Sequence, residues 1–354
     1  MRRSISRFPP RNGRLFISTA ADRQYKVSST MACYFCPNLY VLPTHSFCDG
    51  RWMSISGNVS TGNTFRYFAR FTAEPAVPFE VIKGLALSCY YPNPLHRVCG
   101  DIDLYFGSPE AVRQAAQKLE ESGVYVKYGA NDDASCLIGQ VVIELHPELI
   151  ELHSPLIRKS LREWEKNVFC TVAPAIRPVY QDTPISVPTP EAHHLLVSTH
   201  ILKHLLNEGI GLRQLCDAAI LLKGLAQETD KQELERLCRR FGIWKWSCLL
   251  YSFLVEHLGL DESYTPFRQH HNTETLMTEI WESGNFGFYD ERKGERPEGK
   301  WKNKLYTTRQ ITRKAQLFFT YAPAETFWWP TLLTARRIKE LFIKHENHTE
   351  KNTK

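Results

Sequence analysis

Gly100-Asp101-Ile102-Asp103-Leu104-Tyr105-Phe106 is the stretch on which the fold turns. Polar and apolar residues alternate from Asp101 onward, which predicts a β-strand whose successive side chains point to opposite faces. Asp101 and Asp103 then project together, roughly 7 Å apart along the strand. Ile102 and Leu104 face a core. Two carboxylates on one face repel each other unless a cation sits between them. The expected cation is Mg2+, which prefers carboxylate and phosphate oxygens to an all-protein cage. An isolated Asp-x-Asp also occurs in turns and on exposed strand edges, so its weight comes from its surroundings.

Upstream, Phe79-Glu80-Val81-Ile82 reads as a short strand that ends at Lys83-Gly84, where a helix over 85–91 opens. Pro92 and Pro94 break that helix. Downstream, Ser108 can cap a helix and Pro109 suits its first position; the helix runs to about Glu121 and stops at Gly123. Residues 124–128 alternate again. After the Asn131-Asp132-Asp133 turn, 137–146 reads as one or two further strands. The order is β-α-β-α-β-β, an α+β domain with a small mixed sheet. Glu144 is a lone acid in the apolar run Val141-Val142-Ile143-Glu144-Leu145-His146, and burying an unpaired acid is costly. Glu144 is therefore the candidate third carboxylate, ahead of Glu148 and Glu151 in the less regular stretch after Pro147.

The remainder is mainly helical, with candidates over 155–166, 189–207, 212–223, 231–241, 244–258, 273–282, 307–321 and 331–345. The expected domains are an irregular N-terminal segment over 1–60, a sheet domain over 61–173, a Pro-rich linker over 174–190, a helical domain over 191–345 and a disordered tail over 346–354. The linker assignment rests on five prolines between Pro174 and Pro190. Cys33, Cys36, His45 and Cys48 are soft ligands close in sequence, but no companion hairpin signal accompanies them, and they read as an accidental cluster.

Composition narrows the function. The chain has 354 residues with 43% hydrophobic and 23% charged, enough for two domains and against global disorder. A net charge of +6 suits an anionic substrate such as a nucleoside triphosphate. A strong nucleic-acid binder usually shows a denser basic stripe, so nucleic acid is not the expected partner. The densest basic run, Lys293 to Lys314, reads as a solvated loop and helix face. Ten cysteines are scattered singly for the most part, as reduced thiols are, and no apolar run reaches the ~18–20 residues of a membrane span. The Arg-rich N-terminus lacks the apolar stretch of a secretory signal. It is compatible with a transit peptide or with initiation at Met31. The expectation is a cytoplasmic protein without structural disulfides and without a membrane span.

The combination Lys83-Gly84, Tyr91-Pro92, Arg97-x-x-Gly100-Asp101-Ile102-Asp103-Leu104 and Glu144-Leu145-His146 resembles a bacterial nucleotidyltransferase family of the DNA polymerase β-like superfamily, often met in surface-polysaccharide gene clusters. His193-His194, His200, the segment Gly209-Ile210-Gly211-Leu212-Arg213 with Asp217, and Gly284-Asn285-Phe286-Gly287 extend the likeness over roughly residues 79–345. Asp-x-Asp alone is shared very widely; the later motifs are more specific.

The resemblance implies a metal-dependent nucleotidyltransferase that moves an NMP from an NTP to an acceptor hydroxyl and releases pyrophosphate. A two-metal Mg2+ site would be held by Asp101, Asp103 and Glu144, the catalytic acids. Lys83, Gly84, Arg97, Gly100, Arg213 and Asp217 would line the nucleotide. The acceptor is a small molecule or sugar, with a protein acceptor as the alternative; a non-catalytic nucleotide-binding module would be expected to lack one of the acids. One departure stands out. The superfamily usually has Gly-Ser or Gly-Gly where this chain has Gly84-Leu85, and Ser88, the nearest hydroxyl, lies a helical turn away. Lys83 is then the phosphate's point charge.

On the residues alone, Arg97 suits either a phosphate or a carboxylate partner such as Asp101. Arg213 and Asp217 suit an i,i+4 ion pair as well as a cleft. His193, His194, His200 and His204 share a helix, where a zinc site competes with ordinary core-edge histidines. Removing either aspartate is expected to abolish transfer and, by relieving repulsion, to leave metal-free stability unchanged or slightly raised.

Overall fold

The computed structural model describes residues 77–178, 184–284, 287, 290–294 and 297–335, together with the backbone of a two-stranded ribbon at Ser46–Cys48 and Arg51–Met53. Of the soft-ligand residues read as an accidental cluster, Cys33, Cys36 and His45 lie outside the described residues, as does the side chain of Cys48 and as do the segments 1–45 and 336–354.

Five strands form the central sheet: β1 (Glu80–Ile82), β2 (Asp101–Tyr105), β3 (Val126–Tyr128), β4 (Ala134–Ile138) and β5 (Val141–His146). Their order is β1-β2-β5-β4-β3. Only β2 and β5 run parallel; the other pairs are antiparallel. The α+β class with a mixed sheet is thus observed. A parallel pair needs a long crossover, and here the chain between β2 and β5 includes helix α2 (Pro109–Glu121). Ser108 caps α2 by accepting from the Ala111 amide at 3.2 Å. Val112, Ala115, Ala116 and Leu119 recur on the buried stripe of α2.

The alternation of β2 splits the sheet into two faces. Ile102, Leu104 and Phe106 pack with the α2 stripe, Val81, Ile143 and Leu145 in one core. Tyr105 and Ile82 point the other way, into a second core shared with the helical part. That part comprises α3 (Pro155–Thr171), α4 (Pro190–Asn207), α5 (Leu212–Gly224), α6 (Lys231–Arg240), α7 (Trp244–Leu258), α8 (Glu274–Ser283), α9 (Lys300–Phe318) and α10 over 323–335. Helix α1 (Lys83–Ser88) follows β1 directly. Because Leu149, Ile150 and Leu152, just after β5, join the same core as Leu195, Leu202 and Leu221, the helices close over one face of the sheet.

Several features differ from the sequence reading, and the helix expected over 307–321 already begins at Lys300. The Pro-rich stretch carries β6 (Ala175–Pro178) and β7 (Pro184–Val187), an antiparallel pair. Ile185 and Val187 are buried with the sheet core, and an apolar anchor of this kind overrides linker composition. The last helix begins at Pro323, not at 331. The late basic run is not simply a solvated face. Lys314 is fully buried, with Nζ 3.3 Å from Ser283 Oγ and 3.4 Å from Glu279 Oε1, and Arg313 and Arg292 reach the same Glu279.

The two later motifs meet in space. Gly209 has φ +128°, and a Cβ placed there would lie 2.7 Å from Ser283 Cβ and 3.1 Å from the Gly287 amide. Only glycine fits both the backbone angle and the close approach.

Candidate metal and nucleotide site

The face of the sheet under the helices carries the acids. In register, Asp101 lies beside Val142, Asp103 beside Glu144, and Tyr105 beside His146. Adjacent strands lie about 4.8 Å apart, so Asp103, Glu144 and His146 converge. One ligand atom from each lies within 4.8 Å of the others. Asp101 sits a strand repeat earlier on the same face and stands outside that group. The sequence reading paired Asp101, Asp103 and Glu144; the convergent set has His146 in place of Asp101. The signal for it was present, because His146 is two residues from Glu144 and therefore shares its face.

Asp103 is almost fully buried and is held by two neighbours. Its Oδ1 accepts from Lys83 Nζ at 2.6 Å and from His146 Nε2 at 2.8 Å. His146 Nε2 also lies 3.4 Å from Glu144 Oε2. Burial acts to raise the Asp103 carboxyl, but the Lys83 ammonium and the His146 hydrogen bond more than offset it and hold the group well below the ordinary range. Asp101 shifts the other way: burial raises it first, then the charges of Asp103 and Glu144. Burial would lower Lys83 and His146, but their contacts with Asp103 prevail and raise both.

Lys83 reaches Asp103 from an unusual backbone position. It is the junction between β1 and α1, with φ +54°, one of two described non-glycine residues with positive φ. Such a conformation is costly for a side chain with a Cβ and persists where the surroundings enforce it. Here the enforcing contact is an ion pair with a buried carboxylate.

The remaining expected nucleotide residues are placed differently from one another. Arg97 and Asp217 bind each other. Nε and Nη2 of Arg97 donate to Oδ1 and Oδ2 of Asp217 at 2.8 and 2.9 Å, and Tyr91 donates to the same carboxylate at 2.7 Å. The Arg97 partner is thus neither Asp101 nor a surface acid. The pair is buried and joins the loop before β2 to α5. Gly84 lies under it: a Cβ there would be 3.4 Å from Cys99 Sγ and 3.6 Å from Arg97 Nη2. Gly100 is exposed, and an added Cβ would meet nothing within 4 Å. Arg213 is in the first turn of α5, one turn before Asp217. Ser88 is buried and donates to the Leu85 carbonyl at 2.6 Å.

The histidines divide into two pairs. His193 and His194 are buried, next to Tyr90 and Thr229 respectively, and burial pushes both down to about 3. His200 and His204 face each other one turn apart. Among the described residues, the convergent metal-ligating group contains none of these four.

A family described as uncharacterised nucleotidyltransferases matches residues 56–259, more than half of the chain. The chain belongs to this family. Its matched span holds every acid of the site, the Lys83 junction and the Arg97–Asp217 pair. No curated protein and no solved structure matches the chain. Among the described residues, no helix of this family member is long and apolar enough to cross a membrane, and the seven cysteines Cys89, Cys99, Cys136, Cys170, Cys216, Cys238 and Cys248 are free thiols.

Proposed function

We propose that this protein moves an NMP from an NTP to an acceptor hydroxyl of a small molecule or sugar. The acceptor oxygen attacks the α-phosphorus in line, the bond to the β-phosphate breaks, and pyrophosphate leaves with the electron pair. The observation that carries this reading is the convergence of Asp103, Glu144 and His146 on neighbouring parallel strands, with Asp101 on the same face, in a chain of this family.

The donor chemistry fits a divalent cation. Carboxylate oxygens suit Mg2+ or Mn2+, and the imidazole admits later transition metals as well. Asp103 and Glu144 would hold the ion, with Asp101 or His146 completing the set. Bound Mg2+, as two ions, would lower the pKa of the acceptor hydroxyl and stabilise charge on the leaving pyrophosphate. The protein's own part is positioning and charge. Lys83 is the phosphate's point charge once it leaves Asp103. Gly100, exposed and open, leaves room for the nucleotide, Gly84 admits the close packing of Cys99 and Arg97 behind it, and Arg213 lines the cleft from α5. Arg97 and Asp217 position the loop before β2 relative to α5, holding the site together as the substrate binds.

The test incubates the purified protein with each labelled NTP and Mg2+, with cell extract as the acceptor source. Label passing to a small-molecule fraction supports the proposal. Label on protein moves the acceptor to the alternative class. No transfer and no Mg2+-dependent NTP binding would overturn it.

A further inference from the structure

Helix α4 carries a row of nitrogen-bearing side chains on one side. His200, Lys203 and His204 are three and four residues apart and so share one side of the helix. The His200 and His204 rings meet edge-on with centroids 4.4 Å apart. Lys203 Nζ reaches Glu151 Oε2 at 2.5 Å, from the helical part to the segment that follows β5. Glu151 lies within electrostatic range of Lys83 and His146, and His200 within range of Lys83 and Asp103. One ammonium and two imidazoles thus form a wall beside the carboxylates, anchored at Glu151, five residues after His146.

The site needs such a wall. A triphosphate carries several negative charges, and Lys83 with Arg213 supplies only two of opposite sign. The Arg97 guanidinium is spent on Asp217. Leu85, which follows Lys83-Gly84, has no hydroxyl, and the Ser88 hydroxyl is spent on the Leu85 carbonyl. Lys203 is differently placed. Its ion pair with Glu151 is partly open, with side-chain exposures of 30% and 41%. Pairs this exposed are weak, so a phosphate can take the ammonium at little cost. The two rings are held neutral, His200 first by burial and then by Lys83, and can donate N–H groups without the cost of a buried charge.

We propose that Lys203, with His200 and His204, binds the β- and γ-phosphates of the nucleotide. The assignment rests on the nucleotidyl transfer proposed above and gives the helical part a binding role of its own. It makes the family's helical segment a polyphosphate clamp in addition to a scaffold.

The experiment measures calorimetric binding of ATP, GTP, CTP and UTP, and of the four monophosphates, each with Mg2+, to the full chain. The variants are K203A, H200Q and E151Q, with K203M in place of K203A should the alanine variant fail to fold. K203A and H200Q are expected to weaken the bound triphosphate about tenfold, or ~1.4 kcal/mol each, while changing the monophosphate much less. E151Q keeps Lys203 and releases it, so triphosphate binding holds or tightens. Equal losses for triphosphate and monophosphate, or an E151Q loss that copies K203A, would make Lys203 a strut and overturn the proposal. Wild-type binding with unimpaired variants overturns this assignment alone. No wild-type binding of any NTP overturns the nucleotidyl-transfer reading along with it.

Discussion

Asp103 Oδ1 accepts two hydrogen bonds at once, from Lys83 Nζ at 2.6 Å and His146 Nε2 at 2.8 Å. The lysine thus occupies the coordination side of the carboxylate that a divalent ion would use. Lys83 also lies 3.3 Å from His146 Nε2. A cation approaching Asp103 and His146 must displace the ammonium and the imidazole proton, as metals generally displace protons from their ligands.

Lys83→Ala should therefore separate two affinities. Metal binding without nucleotide should hold or tighten, because a competitor for Asp103 is gone. Binding of NTP with Mg2+ should weaken by about tenfold, the loss of one phosphate point charge. Calorimetric titration of Mg2+ or Mn2+, and then of NTP, reads both. A fall in metal affinity would show that Lys83 supports the ligands and does not compete for them.

The two aspartates should differ in stability though both are needed for transfer. Asp101 is raised by burial and by its acidic neighbours, so Asp101→Asn relieves repulsion, and metal-free stability should hold or rise. Asp103→Asn leaves Lys83 and His146 without their carboxylate and should cost about 2–3 kcal/mol. Urea denaturation in EDTA compares them. The sequence-based expectation of equal behaviour gives way here because only the fold shows that Asp103 has a cationic partner. Mg2+ with NTP should raise the wild-type melting temperature by mass action, and the shift should vanish in both variants.

Acid should destabilise the helical part through His193 and His194. Burial puts both near 3 in the folded chain against 6.5 as the ordinary value. Between these limits the unfolded chain takes up protons that the folded chain refuses. The stabilisation is complete above about pH 6.5 and is lost as pH falls toward 3, by up to about 1.4 kcal/mol per pH unit for each histidine. Urea midpoints from pH 7 to 4 should fall less steeply in His194→Gln than in wild type. Equal slopes would place the acid sensitivity elsewhere.

The buried Arg97–Asp217 pair should show the asymmetry of buried ion pairs. Arg97→Met or Asp217→Leu alone strands a charge and should cost about 3–5 kcal/mol, whereas the double variant should cost distinctly less. Arg97→Lys should not rescue, since an ammonium cannot make the two-pronged contact. A double-mutant cycle by chemical denaturation measures the coupling. Additive effects would contradict the pairing.

Gly209→Ala tests the contact between the two later motifs. With φ +128° and a Cβ position 2.7 Å from Ser283 Cβ, the change should cost about 2 kcal/mol or more. A thermal melt unchanged from wild type would mean that the two loops do not pack as described.

The sequence was legible wherever a local period or a cap carried the information. The alternation of Asp101–Tyr105, the Ser108 cap and the Gly123 stop are local rules, and the strands and helix they imply are present. The helices over 155–283 were legible for the same reason. The β6–β7 pair was not, because Pro174–Pro190 has linker composition and its order comes from burying Ile185 and Val187 on a distant sheet. The early start of the last helix was missed too. There, Glu325 bonds His153 and Trp329 bonds Asn207, contacts of high sequence separation.

By itself, then, the sequence determined that Asp101 and Asp103 share a face, that Glu144 is an acid in an apolar strand, and that an α+β sheet precedes helices. Each follows from periodicity within one element. Only the tertiary structure decided which groups meet. It set Asp103 beside Glu144 in a parallel register, brought His146 and Lys83 to the same oxygen, and closed Arg97 onto Asp217, 120 residues away. Charge pairing across a fold depends on distances between elements, and no spacing along the chain fixes those.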